Sequence, residues 1–153
     1  MAWIRACGGK AKSNYLFKNG VLNIGMSSQA WKPSGDSSAP SSVGTITISG
    51  NDLVLSKIVT TTGYCCFVTD DIDVTDLTSI SFYVDSATFT SLRFCVTNNV
   101  NNSVFVATNS QTVSSGAGAV DVSALTGNYK FLIYGHRSAG STANAILTEI
   151  KLN

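Results

Sequence analysis

Apolar residues in this chain alternate with polar ones at a period of two, in short runs that recur roughly every ten residues. No run of a dozen residues carries the 3.6-residue period of an amphipathic helix. Successive side chains of a strand point to opposite faces, so each run describes a strand with one buried face. GTITISGNDLVLSKIV reads as a hairpin: Ile46 and Ile48 share a face, Gly50-Asn51-Asp52 turns, and Leu53 and Leu55 return. YCCFV follows, over about residues 63–68. SISFYVD sets Ile80, Phe82 and Val84 against Ser81, Tyr83 and Asp85. SLRFCVT sets Leu92, Phe94 and Val96 inside, with Arg93, Cys95 and Thr97 outside. SVFVATN comes next, then AVDVSAL with Val120 and Val122 inward. YKFLIYGHR alternates Tyr129, Phe131 and Ile133 against Lys130, Leu132, Tyr134 and His136. ILTEIKL groups Ile146, Thr148, Ile150 and Leu152. Eight or nine strands result, separated by the turn signals NNVNNS, SSGAG, LTGN and RSAGST. Short strands at such spacing predict an all-β sandwich or barrel. The last strand closes the fold, so removing ILTEIKLN is expected to unfold it.

A chain of 153 residues holds one domain, or one domain and an extension. Charge separates the two parts. Residues 1–35 carry Arg5, Lys10, Lys12, Lys18 and Lys32 and no acid, whereas nine acids lie in residues 36–153. The Ser/Gly/Pro-rich stretch 26–44 reads as a linker, or as a rim loop that tucks Trp31 into the core. The division expected is therefore an N-terminal arm and linker over 1–40 and a β-sandwich over 41–153. Trp3, Arg5, Lys10, Lys12, Tyr15 and Phe17 are the arm residues suited to gripping a partner. WIRAC alternates well enough to fold back on its own sandwich as well. Nucleic acid is not an expected partner, because the bases are dispersed and no recognition helix or RNA-binding aromatic signature occurs. No apolar run suggests a secretory leader or a bilayer span, which predicts synthesis in a cytoplasm without a signal peptide and no membrane partner.

Catalytic signals are weak. His136 is the sole histidine, no G-x-S-x-G elbow accompanies it, and Glu149 is the sole glutamate. An enzyme is not expected, and a glycosidase ranks behind both binding roles below. Cys7, Cys65, Cys66 and Cys95 lack the paired spacing of a zinc site and read as free thiols, with Cys65 and Cys66 on opposite faces of one strand; Cys7 is the candidate for an inter-subunit disulfide. Asp70, Asp71, Asp73 and Asp76 suit turn chemistry, with Asp70, Asp71 and Asp73 as candidate oxygen ligands for calcium. No other cofactor is expected. Tyr83, Arg93, Tyr134 and His136 all fall on non-core faces. On neighbouring strands they would form a patch able to stack on a sugar ring and bond its hydroxyls, or to meet another protein.

DIDVTDLTSISFYVDS, SLRFCV, VDVSALTGNYKFLIYG and ILTEIKL together resemble the galactose-binding-like jelly rolls of carbohydrate-binding modules and bacteriophage virion proteins, over roughly residues 44–153. WIRACGG followed by YLFKNG is similar to segments of small virion proteins of phages of Gram-positive bacteria. The resemblance implies an antiparallel jelly-roll β-sandwich, a structural calcium in some members, and a virion location. It implies a capsid-decorating or tail-associated structural protein, oligomeric in the assembly and docked by its arm to capsid or tail subunits. The alternative it implies is a carbohydrate-binding module that attaches to host-surface glycan.

Overall fold

The computed structural model describes residues 14–36, 39–138 and 140–153. Trp3, Arg5, Cys7, Lys10 and Lys12 lie outside the described residues. In chain order the strands are β1 (Tyr15–Lys18), β2 (Val21–Leu22), β3 (Met26–Gln29), β4 (Lys32–Pro33), β5 (Ser41–Ser42), β6 (Thr45–Ser49), β7 (Asp52–Lys57), β8 (Gly63–Asp73), β9 (Ser79–Ala87), β10 (Ser91–Thr97), β11 (Val100–Asn101), β12 (Val104–Phe105), β13 (Thr108–Thr112), β14 (Gly116–Asp121), β15 (Asn128–Arg137) and β16 (Ala143–Leu152). No helix occurs among the described residues.

Two sheets face each other. The first runs β14-β9-β16-β1-β2, and the second runs β13-β10-β15-β8-β3. Two of the long strands, β16 and β8, are each shared by two short partners along one edge. β16 takes β7 along Ala143–Leu147 and β1 along Glu149–Lys151. β8 takes β5 at Tyr64 and Cys65 and β3 from Cys66 to Thr69. Between the sheets lies one apolar core, in which Phe82 of the first sheet stacks on Phe94 of the second with ring centroids 3.7 Å apart.

The facing expected for β9, β10 and β15 is the facing found, but Cys95, Thr97, Leu132 and Tyr134, expected off the core, are buried on the outer face as well. β16 departs from its expected facing. Irregular register between Ile146 and Glu149 shifts the phase, so Ala145, Leu147, Ile150 and Leu152 fill the core while Ile146 and Thr148 do not. β8 runs on through the acidic stretch to Asp73, well past YCCFV. Cys65 and Cys66 do face opposite ways, and both are buried because each face of β8 is covered. Burial pushes the thiols of Cys65, Cys66 and Cys95 upward, Cys95 to about 12.

Residues assigned by charge to an arm contribute strands. Asn19 and Gly20, both at positive φ, form the two-residue turn that folds β2 onto β1. Phe17 is fully buried in this chain's own core, which leaves none of it to present to a neighbour. Tyr15 pairs with Lys151, and the ammonium of Lys18 lies 4.5 Å from its ring centre.

Two matching turns lock one end of the sandwich. Asp73-Val74-Thr75 and Asp121-Val122-Ser123 each begin a D-V-(T/S)-x-L-T stretch. Asp73 Oδ1 accepts from the Thr75 N–H at 3.1 Å and hydroxyl at 2.6 Å, and Asp121 Oδ1 accepts from the Ser123 N–H at 2.9 Å and hydroxyl at 2.7 Å. The turns also hold each other: the Val74 N–H donates to Gly127 O, and the Val122 N–H donates to Thr78 O. The bond from the Ser123 hydroxyl, and then that from its N–H, holds the Asp121 carboxyl below its ordinary value. A depressed folded value means that this stabilisation is present above the unfolded carboxyl value, about 4, and is lost as pH falls through the folded one. Asp121→Ala is therefore expected to lower the melting temperature at neutral pH. The gap to the unsubstituted protein should close as the pH is taken down through the carboxylate range. A gap that stays constant with pH would show that the carboxylate charge plays no part.

Candidate functional site

The outer face of the second sheet is ordered by strand register. Across β10, β15 and β8 the residues line up in four rows: Ser91–His136–Tyr64, Arg93–Tyr134–Cys66, Cys95–Leu132–Val68, and Thr97–Lys130–Asp71. Successive rows lie about 7 Å apart, two residues along a strand. The third row is apolar and buried. Phe105, itself fully buried, covers it together with Trp31, Val100 and Ala107.

The cover is a small three-stranded sheet, β11-β12-β4. Asn102 and Ser103, both at positive φ, make the two-residue turn of the β11–β12 hairpin. β4 then pairs parallel to β12, with the Ser34 N–H donating to Phe105 O at 2.7 Å. NNVNNS is thus part of a hairpin laid across the sheet, where the sequence suggested only a connection. Asn-Ser at left-handed positions between Val100-Asn101 and Val104-Phe105 is the signal that marks it.

On one side of this ridge the first two rows line a cleft of about 230 Å³ with Asp36, Tyr64, Ser91, Arg93, Tyr134 and His136. The rings of Tyr64 and His136 lie 4.8 Å apart and tilted, and Phe105 meets Tyr134 edge-on at 4.9 Å. The Tyr64 hydroxyl donates to the Asp36 carboxylate. Burial, then that bond to Asp36, pushes the Tyr64 phenol up to about 12, and burial likewise raises Tyr134. Both hydroxyls are therefore protonated donors at neutral pH. Arg93 is exposed, lies against the Tyr134 hydroxyl, and has no carboxylate at ion-pair distance among the described residues. Gly135, inward between Tyr134 and His136, lets Phe89 press on the strand: a Cβ there would sit 2.3 Å from the Phe89 ring.

Of the four residues expected to form a patch, Arg93, Tyr134 and His136 do meet. Tyr83 does not. It is on β9 of the other sheet, opposite Ala117 and Glu149, on the far side of the sandwich. Tyr64, Asp36 and Ser91 complete the cleft. The sequence pointed to none of them as ligand residues: the register of β15 with β8 and β10 brings in Tyr64 and Ser91, and the Tyr64 hydroxyl holds Asp36 there from the turn after β4.

The cleft contains a serine, a histidine and an aspartate, yet no hydrogen bond joins His136 to Ser91 or to Asp36 among the described residues. A hydrolytic triad requires both bonds. What the cleft does offer is a guanidinium fork, a carboxylate, three hydroxyls and ring edges around a small concavity. Such a set bonds a polyol in several directions at once.

The acidic stretch spreads out. Asp71 pairs with Lys130 at 2.9 Å, Asp73 serves its turn, and Asp70 lies beside Gly25. Among the described residues no three His, Cys, Asp or Glu side chains gather as a metal group.

No family model matches the sequence, and no curated protein matches it. Solved structures do match. A mutant of CBM29-2, a family 29 carbohydrate-binding module, complexed with mannohexaose is 12% identical and superposes with a TM-score of 0.56, covering 94% of this chain and 92% of its own. Another mutant of the same module, complexed with cellulohexaose, is 11% identical with a TM-score of 0.54, covering 92% of this chain and 90% of its own. The enzymatically active domain of a bacteriophage CBA120 tailspike protein is 15% identical and aligns over 92% of this chain but 22% of its own, at a TM-score of 0.47, too distant to carry an argument. At such identities likeness speaks to fold and leaves function to the site. The chain has the antiparallel jelly-roll β-sandwich fold shared by these carbohydrate-binding modules.

Proposed function

We propose that this protein is a carbohydrate-binding module whose ligand seats in the Arg93–Tyr134–His136 cleft. The observation that carries the reading is the cleft itself: an arginine without a carboxylate at ion-pair distance among the described residues, a carboxylate and protonated tyrosine hydroxyls converge on one concavity of a rigid sheet. The likeness in fold to carbohydrate-binding modules supports it. Binding is equilibrium recognition without turnover. Arg93 donates to sugar hydroxyls, Asp36 accepts from them, and the Tyr64 and His136 rings, packed against each other, line one side of the sugar. The same body carried on a virion would serve attachment to a host surface.

Glycan-array screening followed by calorimetry tests the reading. Arg93→Ala should weaken binding by about tenfold or more, because a hydrogen bond to a charged group is worth about 1.5–3 kcal/mol. Arg93 is exposed, so the melting temperature of this variant should hardly move. Tyr83→Ala, on the opposite sheet, should bind as the unsubstituted protein does. A protein that binds no glycan, or an Arg93→Ala variant that binds unchanged, would sink the proposal.

A further inference from the structure

The cleft is closed on two sides, and the closure restricts what part of a glycan can enter. Along the strands, the row after Arg93–Tyr134–Cys66 is roofed by Phe105 and the β11–β12 hairpin. Beyond that ridge the face opens again as a separate hollow lined by Asp71, Thr97, Asn98, Val100, Asn128 and Lys130. A linear chain lying along the strands would need to cross the ridge to touch both. Across the strands, the turn after β4 forms the second wall. Asp36 is held there by the Tyr64 hydroxyl, Ser34 is bonded to Phe105 O, and Trp31 packs behind. The two walls are tied together through the Ser34–Phe105 bond, so they form one corner. Among the described residues, access remains from the Ser91–His136 end of the strands and from the side where β13 pairs with β10.

We infer that the corner receives the terminal residue of a glycan and excludes internal stretches of a long chain. This inference rests on the glycan reading of the cleft and adds end specificity to it. Arg93 and Tyr134 form the floor under the terminal residue, and Asp36 with the hairpin that the buried Phe105 anchors forms the stop beyond it. Each added unit after the first one or two then projects into solvent and gains no contact. A preformed, rigid stop also favours the end over the interior by steric exclusion, since an internal unit carries a substituent on both sides.

The experiment uses the full chain. The probes are di- to hexasaccharides of mannan, cellulose, xylan and chitin, with other sugars from the array if they bind, and the parent polysaccharide of each. Affinity should level off by the di- or trisaccharide. In competition at equal mass, the polysaccharide should compete less well than its hexasaccharide, in proportion to its greater length, because it offers fewer ends per gram. Trimming the terminal residue of a bound oligosaccharide to a different sugar should abolish binding. If affinity climbs through the hexasaccharide and the polymer competes equally by mass, a chain passes over the ridge and the inference is overturned while the glycan reading stands. If no sugar of any length binds, the glycan reading itself fails and takes this one with it.

Discussion

Removal of residues 146–153 should abolish folding. β16 is the one strand that pairs with β9, β7 and β1, so it joins both halves of the first sheet. The deletion would strip Leu147, Ile150 and Leu152, each almost fully buried, from the core. Burying one such side chain is worth about 1.5–3 kcal/mol. Three of them amount to much of the roughly 5–15 kcal/mol by which a domain is stable. The backbone loss compounds this. β1 would lose its partner on one edge, as would most of the inner edge of β9, leaving buried N–H and C=O groups unpaired. The end of the chain holds further contacts: Asn153 O accepts from the N–H of Thr78, and the Leu152 N–H donates to Asn14 O. The expected product is insoluble, or soluble without a cooperative melt. A truncated protein with a sharp thermal transition and native circular dichroism would show that the first sheet closes without β16.

Local patterning made much of this fold legible. β10 is the clearest case: Leu92, Phe94 and Val96 are core residues, and the Gly50-Asn51 hairpin joins β6 to β7 as the sequence suggests. Charge misleads at the N-terminal side. Lys18 reads as part of a basic arm, yet it bonds Glu149 at 2.6 Å across the β1–β16 pair. Asn19-Gly20 was the stronger signal there, because turn chemistry constrains the backbone directly whereas charge constrains only what lies nearby. Irregular pairing is beyond a period-two reading. The irregular register between Ile146 and Glu149 turns Leu147 inward in place of Ile146 and Thr148 while Ile150 and Leu152 stay inward, and nothing in ILTEIKL marks where the irregularity sits.

The site was legible in part, and for a definable reason. Face assignment comes from alternation within one strand, so Arg93, Tyr134 and His136 were each placed on the face turned away from the core between the sheets. Sheet assignment depends on which strands pair. Tyr83 also faces away from the core, but β9 belongs to the other sheet, and alternation alone cannot separate the two outer faces. The ridge was hidden for another reason. Cys95 and Leu132 read as outer-face residues, and their burial, with that of Val68, depends on a hairpin that lies outside the strands' own alternation. An apolar row on an otherwise polar face is the trace such a cover leaves.

Phe94→Ala should be the most damaging single truncation in the core. Phe94 is fully buried and stacks on Phe82 with centroids 3.7 Å apart, and its ring lies 6.3 Å from that of Phe131. Phe82 also faces Phe131 at 6.3 Å, so the three rings form one contact set spanning both sheets. Loss of the central ring removes its transfer free energy and leaves a cavity that two rigid sheets cannot collapse to fill. The expected cost is about 3–5 kcal/mol, with the upper part of that range favoured because aromatic pairs add to area burial. For a chain of this size that corresponds to a fall in melting temperature on the order of 10 °C. Phe94→Leu keeps most of the volume and should cost less. The cleft offers an independent reading of the same change, since Phe94 lies between Arg93 and Cys95 on β10 but points the other way. Phe94→Ala should therefore lower stability while leaving glycan affinity near that of the unsubstituted protein at temperatures where it remains folded. Equal melting temperatures for Phe94→Ala and the unsubstituted protein would mean that the three rings do not hold the sheets together.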